Sequence, residues 1–525
     1  MDKSRRTKII FLIINIFIAM LGCVRIFYAT EWGPWAFSDS ASYFSAARNL
    51  FQGEGMIIKK AGGGMDYYES FPPLYPILLG AIGSLVGNFV VAARYINVLA
   101  FGIFLFLSGL VLFNLTRQPV ISLVAPAILI VSPMMITDFS GAMTEPIFLP
   151  TMMFSFLMLA TLIRTPNLLN TIAFILISSI LPVIRYVGGV FIFMNFFILI
   201  LFIPKTLKKR AVFSFTVTLF SLVPLLMWLI SLHRLTSLIG GRKIDIASSF
   251  AFNFFEGCKE ISDILQSFLP YKGHYENIIA SNVRLPVVLA IYLILITVSI
   301  YLLMKGSTAR NSEGIKLEYY LPFPVYIIAF IVFIAFSFSI TNRSYRIDER
   351  QLSTLIPLII FTSLLSLCVL LSHMKFMPLA ADFIILCLFA FIFRYYFFPS
   401  RNLVQKFHEN GYGYTARQYQ ESGIIEAIKQ IPPEKIIISN SSGFILFYDN
   451  RLPLQVDQFH HRMFGSGNSY GEGKFRDQQA ALVLLIPDFN NYYGVQAKML
   501  LPSIINGLNV AYWDAVGGIY YYPDM

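Results

Sequence analysis

Charged residues are scarce in this chain. Only 13% of its 525 residues are Asp, Glu, Lys or Arg, whereas 56% are hydrophobic. A soluble domain is about a quarter charged, so this shortage excludes one large soluble core and indicates a polytopic α-helical membrane protein. The four cysteines show no metal-ligand spacing, and three of them lie in apolar runs, so no disulfide framework is implied.

The motifs that announce common soluble chemistries are also missing. The sequence has no P-loop, no GxGxxG dinucleotide fingerprint, no zincin pair and no paired-cysteine zinc site. It also lacks an Asp-x-Asp pair, which disfavours metal-dependent transfer from a nucleotide sugar. The adjacent His460 and His461 are typical of a solvated surface pair rather than a metal site. Nothing indicates a divalent metal or another cofactor, and we expect none.

The positive charge is distributed as in a membrane protein. The formal net charge is +11, but many basic residues lie in short segments between apolar runs, as in cytoplasmic membrane loops. We therefore expect no nucleic-acid partner. The first apolar run is too long for the core of a signal peptide and lacks a cleavage site. It predicts a retained signal-anchor with a cytoplasmic N-terminus, in a multi-pass protein of the cytoplasmic membrane.

Eleven apolar runs approach the roughly 20 residues that a transmembrane helix needs. A further candidate, residues 72–87, is short and rich in Gly and Pro, and counting it would put the basic cluster at 205–210 outside. We expect about eleven transmembrane helices, of which 168–185 and 187–204 are short, and an interfacial or re-entrant helix at 72–87 on the outer side. The runs are residues 9–28, 89–114, 119–137, 146–163, 168–185, 187–204, 211–232, 285–304, 320–340, 352–372 and 377–398.

The end of the chain differs from the rest, because its charges are nearly balanced. Residues 416–440 indicate a helix, a Pro-Pro turn and a strand, while ALVLLIP and NVAYWDA are further strand candidates on either side of a helix at 492–507. We predict a transmembrane domain over 1–398, whose first outer loop spans 29–88. A small α/β extracytoplasmic domain follows over 399–525.

The stretch AFSDSASYFSAARNLFQGEGM, residues 36–56, follows the first apolar run. Its apolar stripe and its polar Ser and Asn positions predict a short amphipathic helix lying on a surface. Asp39 stands at the start of this helix. One interpretation makes Asp39 the helix N-cap, and the other makes it a catalytic carboxylate.

Charged residues near the predicted outer ends of the spans suit a lipid-phosphate substrate. Arginine binds phosphate oxygens in a bidentate manner, and a carboxylate can take a proton from an attacking hydroxyl or amine. The predicted outer side carries both types. The acids are Asp39, Asp66, Glu69, Asp138 and Glu145, and the arginines are Arg48, Arg94, Arg185, Arg242, Arg343, Arg346 and Arg350.

Five segments, taken in order, resemble the GT-C glycosyltransferase superfamily, and most of all its branch of protein O-mannosyltransferases and lipid A aminoarabinose transferases. They are DSASYFSAARNLFQGEG, ESFPPLYPILLGAIGSLVGNFVVAARYINVL, SPMMITDFSGAMTEPIF, LPVIRYVGGVFI and DERQLSTLIPLI. The resemblance implies a GT-C fold, with the catalytic residues in the transmembrane domain. It also implies a polyprenyl-phosphate sugar donor and inversion of the anomeric centre.

The resemblance assigns expected roles residue by residue. Asp39 would be the general base, and Glu69 and Glu145 match further acidic positions, although Ser70 and Phe71 stand where the aminoarabinose branch has a single Lys. Arg185 and Arg350 match positions that face the donor phosphate, and Arg346 and Arg94 are further candidates there.

Each candidate also has a purely structural interpretation. Glu69 would be a solvated loop acid, Glu145 a favourable charge at a helix N-terminus, and Arg185 a snorkelling interface arginine. Arg346 and Arg350 would form an ion-pair cluster with Asp348 and Glu349, and Arg94 would pair with acids of the first loop.

The sequence therefore predicts a membrane-embedded transferase that moves one sugar from a polyprenyl-phosphate carrier to a protein, lipid or glycan acceptor at the outer face of the cytoplasmic membrane. The C-terminal domain would bind or orient the acceptor. A polymerase or ligase of undecaprenyl-linked glycans is an alternative, as is a transporter of a lipid or an anionic solute. Transporters usually show internal repeats and charges near the bilayer midplane, and neither is visible here.

Overall fold

A computed structural model describes residues 3–204, 206–236, 250–267, 281–306, 315–340, 347–373, 378–455, 475, 477, 479–493, 501–502 and 504–523. The helices are α1 Lys3–Ala29, α2 Ser38–Phe51, α3 Leu74–Val86, α4 Phe89–Thr116, α5 Pro119–Leu129, α6 Pro133–Phe139, α7 Glu145–Arg164, α8 Leu168–Ile184, α9 Gly188–Phe202, α10 Leu207–Thr236, α11 Phe250–Ser267, α12 Ser281–Gly306, α13 Leu317–Tyr320, α14 Pro322–Ile340, α15 Glu349–Leu352, α16 Leu355–His373, α17 Pro378–Asn410, α18 Arg417–Gln420, α19 Ile424–Lys429, α20 Ser442–Asp449 and α21 Ile486–Tyr493. The strands are β1 Ile57–Lys59, β2 Met65–Tyr67, β3 Ile436–Ser439, β4 Leu454–Gln455, β5 Ala480–Leu485, β6 Asn509–Trp513 and β7 Gly517–Tyr521.

Eight helical segments in the described part of the chain are long and apolar enough to cross a membrane. The pair α5 and α6 makes a ninth if it counts as one broken span, and α8 and α9 are shorter apolar helices of 17 and 15 residues. All the predicted apolar runs thus coincide largely with helix. The polytopic α-helical fold class is confirmed, while the number of helices that cross the bilayer stays a prediction.

The span predicted at 119–137 is not one straight helix, because the chain bends by 65° between α5 and α6. That this bent pair crosses the membrane as one span stays a prediction. Pro133 stands at the start of α6, and a proline disfavours helical backbone in the residue before it. The Ser132 hydroxyl accepts a hydrogen bond from the backbone N–H of Met135 at 3.5 Å and so caps a new helix there. The bend redirects α6 and the loop that leads into α7.

Helix α4 runs through the centre of the membrane region and packs closely against α1. A Cβ added at Gly102 would come within 2.4 Å of the Cys23 sulfur, and one added at Gly109 would come within 2.3 Å of the Asn15 side chain. Asn15 itself donates a hydrogen bond to the carbonyl of Phe106 at 2.8 Å. Small residues at such interfaces let helices approach within a membrane, so α1 and α4 form a fixed support for the outer loops.

The C-terminal domain contains a five-stranded mixed sheet in the order β4-β3-β5-β7-β6. Strands β4, β3 and β5 run parallel, and β7 and β6 add antiparallel strands. The predicted small α/β domain is confirmed, and β3, β5 and β6 match the predicted strands. Strand β7 was not predicted. The predicted helix at 492–507 and the pair His460 and His461 lie largely or wholly outside the described residues.

The first outer loop joins this domain directly. Its hairpin, β1 and β2, exchanges two backbone hydrogen bonds with Leu452, from Ala61 N–H to the Leu452 carbonyl at 2.8 Å and from Leu452 N–H to the Lys59 carbonyl at 2.7 Å. Helix α17 continues from the membrane region to Asn410, past the predicted boundary at 398, so the division into two domains stays a prediction. The loop and the C-terminal domain are therefore joined through backbone hydrogen bonds as well as through the chain.

Candidate active site

A short extended segment, Trp35–Ala36, fixes the entry to the site. On one side, Trp35 N–H donates to the Ser140 carbonyl at 2.9 Å and the Trp35 carbonyl accepts from Ala142 N–H at 2.8 Å. On the other side, the Ala36 carbonyl accepts from Tyr414 N–H at 2.9 Å. This segment therefore links the loop after α6 to the start of the C-terminal domain, and α2 begins two residues later.

Helix α2 is more deeply buried than the sequence indicates. The predicted surface helix has Ser45 and Asn49 fully enclosed, because the β1–β2 hairpin and α20 cover its polar face. Asn49 donates to the Ile57 carbonyl at 2.8 Å, and Arg48 donates to the Phe447 carbonyl at 2.6 Å. The prediction of an amphipathic helix on a surface is thus wrong, and α2 is a packed element.

Asp39 lies in the first turn of α2 but is not its N-cap. Phe37 holds the cap position, where its backbone N–H donates to the Ser40 hydroxyl at 3.2 Å. The carboxylate of Asp39 is about one-third exposed, and its Oδ2 lies 3.9 Å from Nη2 of Arg350. The N-cap interpretation of Asp39 is therefore wrong, and its carboxylate is free of any capping bond.

The surroundings of Asp39 favour its protonated form more than water does. Burial is the largest cause that raises the pKa of Asp39, and the charges of Glu145 and Asp348 raise this pKa further. The guanidinium groups of Arg350 and Arg185 act in the opposite direction. A carboxylate with a raised pKa is a stronger base once it is ionised, so this environment is compatible with a carboxylate that accepts a proton.

Arg350 is held by its own short helix, α15. Its Nη2 and Nε atoms both lie 2.6 Å from Oδ2 of Asp348, which also caps the helix by accepting from the Arg350 N–H at 2.8 Å. The guanidinium lies 5.7 Å from the ring centroid of Trp35. The predicted ion pair of Arg350 with Asp348 exists, and it aims the same guanidinium at Asp39.

Glu145 and Arg185 form a second, more deeply buried ion pair. Arg185 Nη1 lies 2.7 Å from Glu145 Oε1, and the side chain of Glu145 is only 4% exposed. The contact lacks hydrogen-bond alignment at Nη1, so the attraction is mainly between the two charges. Glu145 is the first residue of α7, where the helix dipole favours a negative charge.

Asp138 is a third acid in this cluster, and the sequence-based site did not include it. It is 1% exposed, and neither carboxylate oxygen has a hydrogen-bond partner among the described residues. Ser353 is nearby, but its hydroxyl donates to the Arg350 carbonyl at 2.7 Å. The charges of Glu145, Arg185 and Arg350 act on Asp138. The bend before α6 is what carries Asp138 into the cluster.

Tyr43 lies one helical turn after Asp39 in α2, close enough to the cluster for the charges of Asp39 and Glu145 to act on it. Burial raises the pKa of Tyr43 well above its ordinary value, and the charges of Asp39 and Glu145 raise this pKa further. Its hydroxyl therefore stays protonated and is able to donate a hydrogen bond. The sequence indicated only an apolar role for Tyr43.

Two of the remaining predicted residues, Glu69 and Arg94, form no ion pair with this cluster. Glu69 is half-buried, and no hydrogen bond or ion pair joins it to another described residue. Arg94 donates to the Phe27 carbonyl at 2.8 Å and lies 3.4 Å from Glu31, which matches its structural interpretation as a partner of a first-loop acid. Arg346 lies outside the described residues. The structure thus brings together Asp39, Glu145, Arg185 and Arg350, and it adds Asp138.

Neither a family model nor a curated protein matches this chain by sequence. Solved structures do match its fold. The chain is similar to ArnT from Cupriavidus metallidurans bound to undecaprenyl phosphate, at 12% identity and a TM-score of 0.57, over 96% of this chain and 97% of that one. It is also similar to the apo form of the oligosaccharyltransferase from Archaeoglobus fulgidus, at 13% identity and a TM-score of 0.53, over 98% of this chain and 74% of that one.

A structure of the same archaeal oligosaccharyltransferase, AglB, in complex with an inhibitory peptide and a dolichol-phosphate matches at a TM-score of 0.50 and 13% identity, over 98% of this chain and 75% of that one. ArnT and AglB are both members of the GT-C superfamily. At identities this low, the similarity concerns the fold alone. The predicted resemblance of this chain to the GT-C fold is confirmed.

Proposed function

We propose that the chain is an inverting glycosyltransferase, which moves a monosaccharide from a polyprenyl-phosphate carrier to an acceptor. The observation that carries this proposal is the approach of Arg350 to Asp39, with the Arg185–Glu145 pair acting on the same carboxylate. A base beside two guanidinium groups suits a reaction in which a hydroxyl or amine attacks and a phosphate leaves.

In this mechanism, Asp39 removes the proton from the acceptor nucleophile. The nucleophile attacks the anomeric carbon from the face opposite the phosphate, so the bond to the phosphate oxygen breaks as the new glycosidic bond forms. The leaving polyprenyl phosphate keeps the electron pair, and Arg185 and Arg350 stabilise its negative charge. A phosphate leaving group needs no proton from a general acid.

The arginines are held by carboxylates before a donor arrives. Asp348 and Glu145 fix the two guanidinium groups at 2.6 Å and 2.7 Å, and such anchored donors need little reorganisation when phosphate binds. Arg346 is proposed as a further phosphate contact, because it stands four residues before Arg350 in the same basic segment of the sequence. The carboxyl group of Asp138, which is buried near Arg185 and Arg350, is proposed to help position the two guanidinium groups.

We also propose that the site faces the outer side of the cytoplasmic membrane, with the N-terminus in the cytoplasm. The support is the distribution of basic residues, which predicts that α1 starts inside and that the first loop and the C-terminal domain lie outside. The partners of the protein in this proposal are the lipid-linked sugar donor, the surrounding bilayer and a protein, lipid or glycan acceptor.

Purified protein in lipid nanodiscs, supplied with a panel of radiolabelled polyprenyl-phosphate monosaccharides, tests the function. We expect one donor to be consumed by the wild type and spared by Asp39→Asn. Asp66→Asn is the matched control, because Asp66 is an exposed first-loop acid paired with Lys60 at 2.7 Å. An Asp39→Asn protein that folds and keeps full turnover would contradict the proposal.

A further inference from the structure

A cavity of about 600 Å³ opens where the first outer loop, the end of α17 and the C-terminal domain meet. Its walls come from Phe37, from the segment 410–421 and from the start of α21. The volume lies within the range of small-molecule sites. The transfer steps described above use none of these side chains, so the cavity is available for a second ligand.

The lining combines accessible aromatic rings with polar side chains. Phe37 and Tyr412 are 36% and 44% exposed, and their rings meet edge to face at 5.3 Å. The amide of Asn491 is exposed, and the carboxylate of Asp488 is half-buried, where it accepts a hydrogen bond from the Tyr419 hydroxyl at 3.5 Å. Ring faces pack against the C–H faces of a sugar, while amide and carboxylate groups bond its hydroxyls.

The charges of the lining disfavour an anionic ligand. Arg417 lies 2.7 Å from Glu421 and is neutralised by it, which leaves the carboxylate of Asp488 as the surplus charge among the lining residues. A phosphate-bearing headgroup would meet like charge here, and like charges brought together oppose binding. An uncharged ligand rich in hydroxyls fits this lining better.

The cavity borders the proposed reaction centre. Phe37 forms part of the cavity wall and is also the N-cap of α2, two residues before Asp39. Tyr414 also lines the cavity, and its backbone N–H donates the hydrogen bond to the Ala36 carbonyl at 2.9 Å. Burial raises the pKa of Tyr414, and the charges of Asp488 and Asp39 both raise it further. Tyr414 therefore lines the cavity and also lies close enough to the proposed base, Asp39, for the charge of Asp39 to act on it.

We propose that this cavity binds the acceptor, and that the acceptor is a neutral saccharide. The proposal rests on the transferase function proposed above and adds the chemical class of the second substrate. A sugar seated against Phe37 and Tyr412 would present a hydroxyl towards the first turn of α2, where Asp39 takes its proton. The C-terminal domain thus supplies much of the acceptor site.

Binding without donor tests this assignment directly. Labelled protein in nanodiscs is applied to an array of neutral oligosaccharides, and dissociation constants are then measured by calorimetry for those that bind. We expect Asp488→Asn and Asn491→Ala to weaken binding about tenfold each, as for the loss of a hydrogen bond to a bound ligand. Asn490→Ala is the matched control, since this exposed neighbour on α21 lies outside the lining.

Three results would overturn the saccharide assignment. They are the absence of binding to every neutral glycan, equal binding by all variants, and preferential binding of a lysine-containing peptide that Asp488→Asn abolishes. Thermal melting of each variant separates lost binding from lost folding.

Donor hydrolysis, measured in parallel, separates the two proposals. Turnover without glycan binding removes only the acceptor assignment, and glycan binding without turnover of any donor removes only the transferase.

Discussion

The Nη2 atom of Arg350 lies 3.9 Å from Oδ2 of Asp39 but only 2.6 Å from Oδ2 of Asp348. The longer distance exceeds that of a hydrogen bond. The charge of Arg350 therefore acts on Asp39 without a hydrogen bond between the two side chains. Asp348 holds the guanidinium in place. The two carboxylates around one arginine therefore differ, since Asp348 is hydrogen-bonded to the guanidinium and Asp39 is not.

The pH dependence of transfer should report on this arrangement. Asp39 must be ionised to act as a base, so activity rises as pH increases through its pKa, which lies above the usual value of about 4. Arg350 lowers this pKa, so Arg350→Gln should move the acidic limb of kcat/KM to higher pH and also slow the reaction. Exposed Arg401→Gln should leave the limb unchanged. If the acidic limb of kcat/KM lay at the same pH in Arg350→Gln as in the wild type, a group other than Asp39 would control that limb.

The Arg185–Glu145 pair should behave as a buried ion pair. Breaking it by Glu145→Gln leaves the guanidinium without its partner and should destabilise the protein by about 3 kcal/mol. The double variant Glu145→Gln/Arg185→Met should recover much of that stability but not the activity, because the phosphate-binding charge is gone. Thermal denaturation and donor turnover of the two single variants and the double variant measure both effects. Additive losses of stability would contradict the pairing.

Asp138→Asn should reduce turnover without unfolding the protein. The substitution keeps the shape of the side chain and replaces a buried carboxyl group near Arg185 and Arg350 with an amide. We expect kcat to fall between about tenfold and about 10²-fold, as for small misplacements of catalytic groups, with a smaller change in KM. Ser140→Ala, at a buried neighbour, is the control. Full activity in Asp138→Asn would exclude Asp138 from the site.

Removal of divalent metal tests the proposal that no cofactor takes part. Among the described residues, no group of three His, Cys, Asp or Glu side chains is arranged to hold a metal ion, and the arginines supply the positive charge near the proposed phosphate site. Turnover should therefore be unchanged by EDTA. Loss of activity in EDTA that Mg²⁺ or Mn²⁺ restores would show that the acid cluster recruits a metal.

Gly413 should be sensitive to a single methyl group. Its φ is +62°, and an added Cβ would lie 2.3 Å from the Ala36 carbonyl oxygen. Gly413→Ala should displace the Trp35–Ala36 segment and lower turnover by up to about 10²-fold. Gly53→Ala is the matched control, since Gly53 also has a positive φ but nothing lies within 4 Å of its added Cβ. If both variants lost turnover equally, backbone strain at a positive φ would explain the effect, and the contact with Ala36 would not.

The sequence predicted the helices and the GT-C resemblance well, because apolar length and segment order carry that information. It predicted a span at 119–137 without the bend inside it, since hydropathy does not register a proline bend. For the same reason Asp138 stood among the outer acids but was not placed beside Glu145. The burial of α2 also escaped prediction, because its polar face is covered by partners that lie far away in sequence.

Sequence order alone could not show which of the charged site candidates lie together in the folded protein. Arg94 and Arg185 both stand near helix ends, yet Arg94 pairs with Glu31 and Arg185 with Glu145. Such pairings depend on how α1, α4, α7 and α8 pack. Strand β7 was missed because its glycines and tyrosines give no clear alternation, although it lies beside β5 in the sheet.

The Trp35–Ala36 segment has a consequence for how the protein is made. One of its neighbours, the loop 140–142, leaves the ribosome early, whereas Gly413 and Tyr414 follow only after the last apolar helix, α17. Until residues 413–414 are made, the Ala36 carbonyl lacks its partner, the Tyr414 N–H. We therefore expect the start of the helix that carries Asp39 to be fixed only near the end of translation. A protein assembled in this order would acquire the proposed transferase activity only after membrane insertion is complete. Incomplete chains would then not consume the lipid-linked sugar donor.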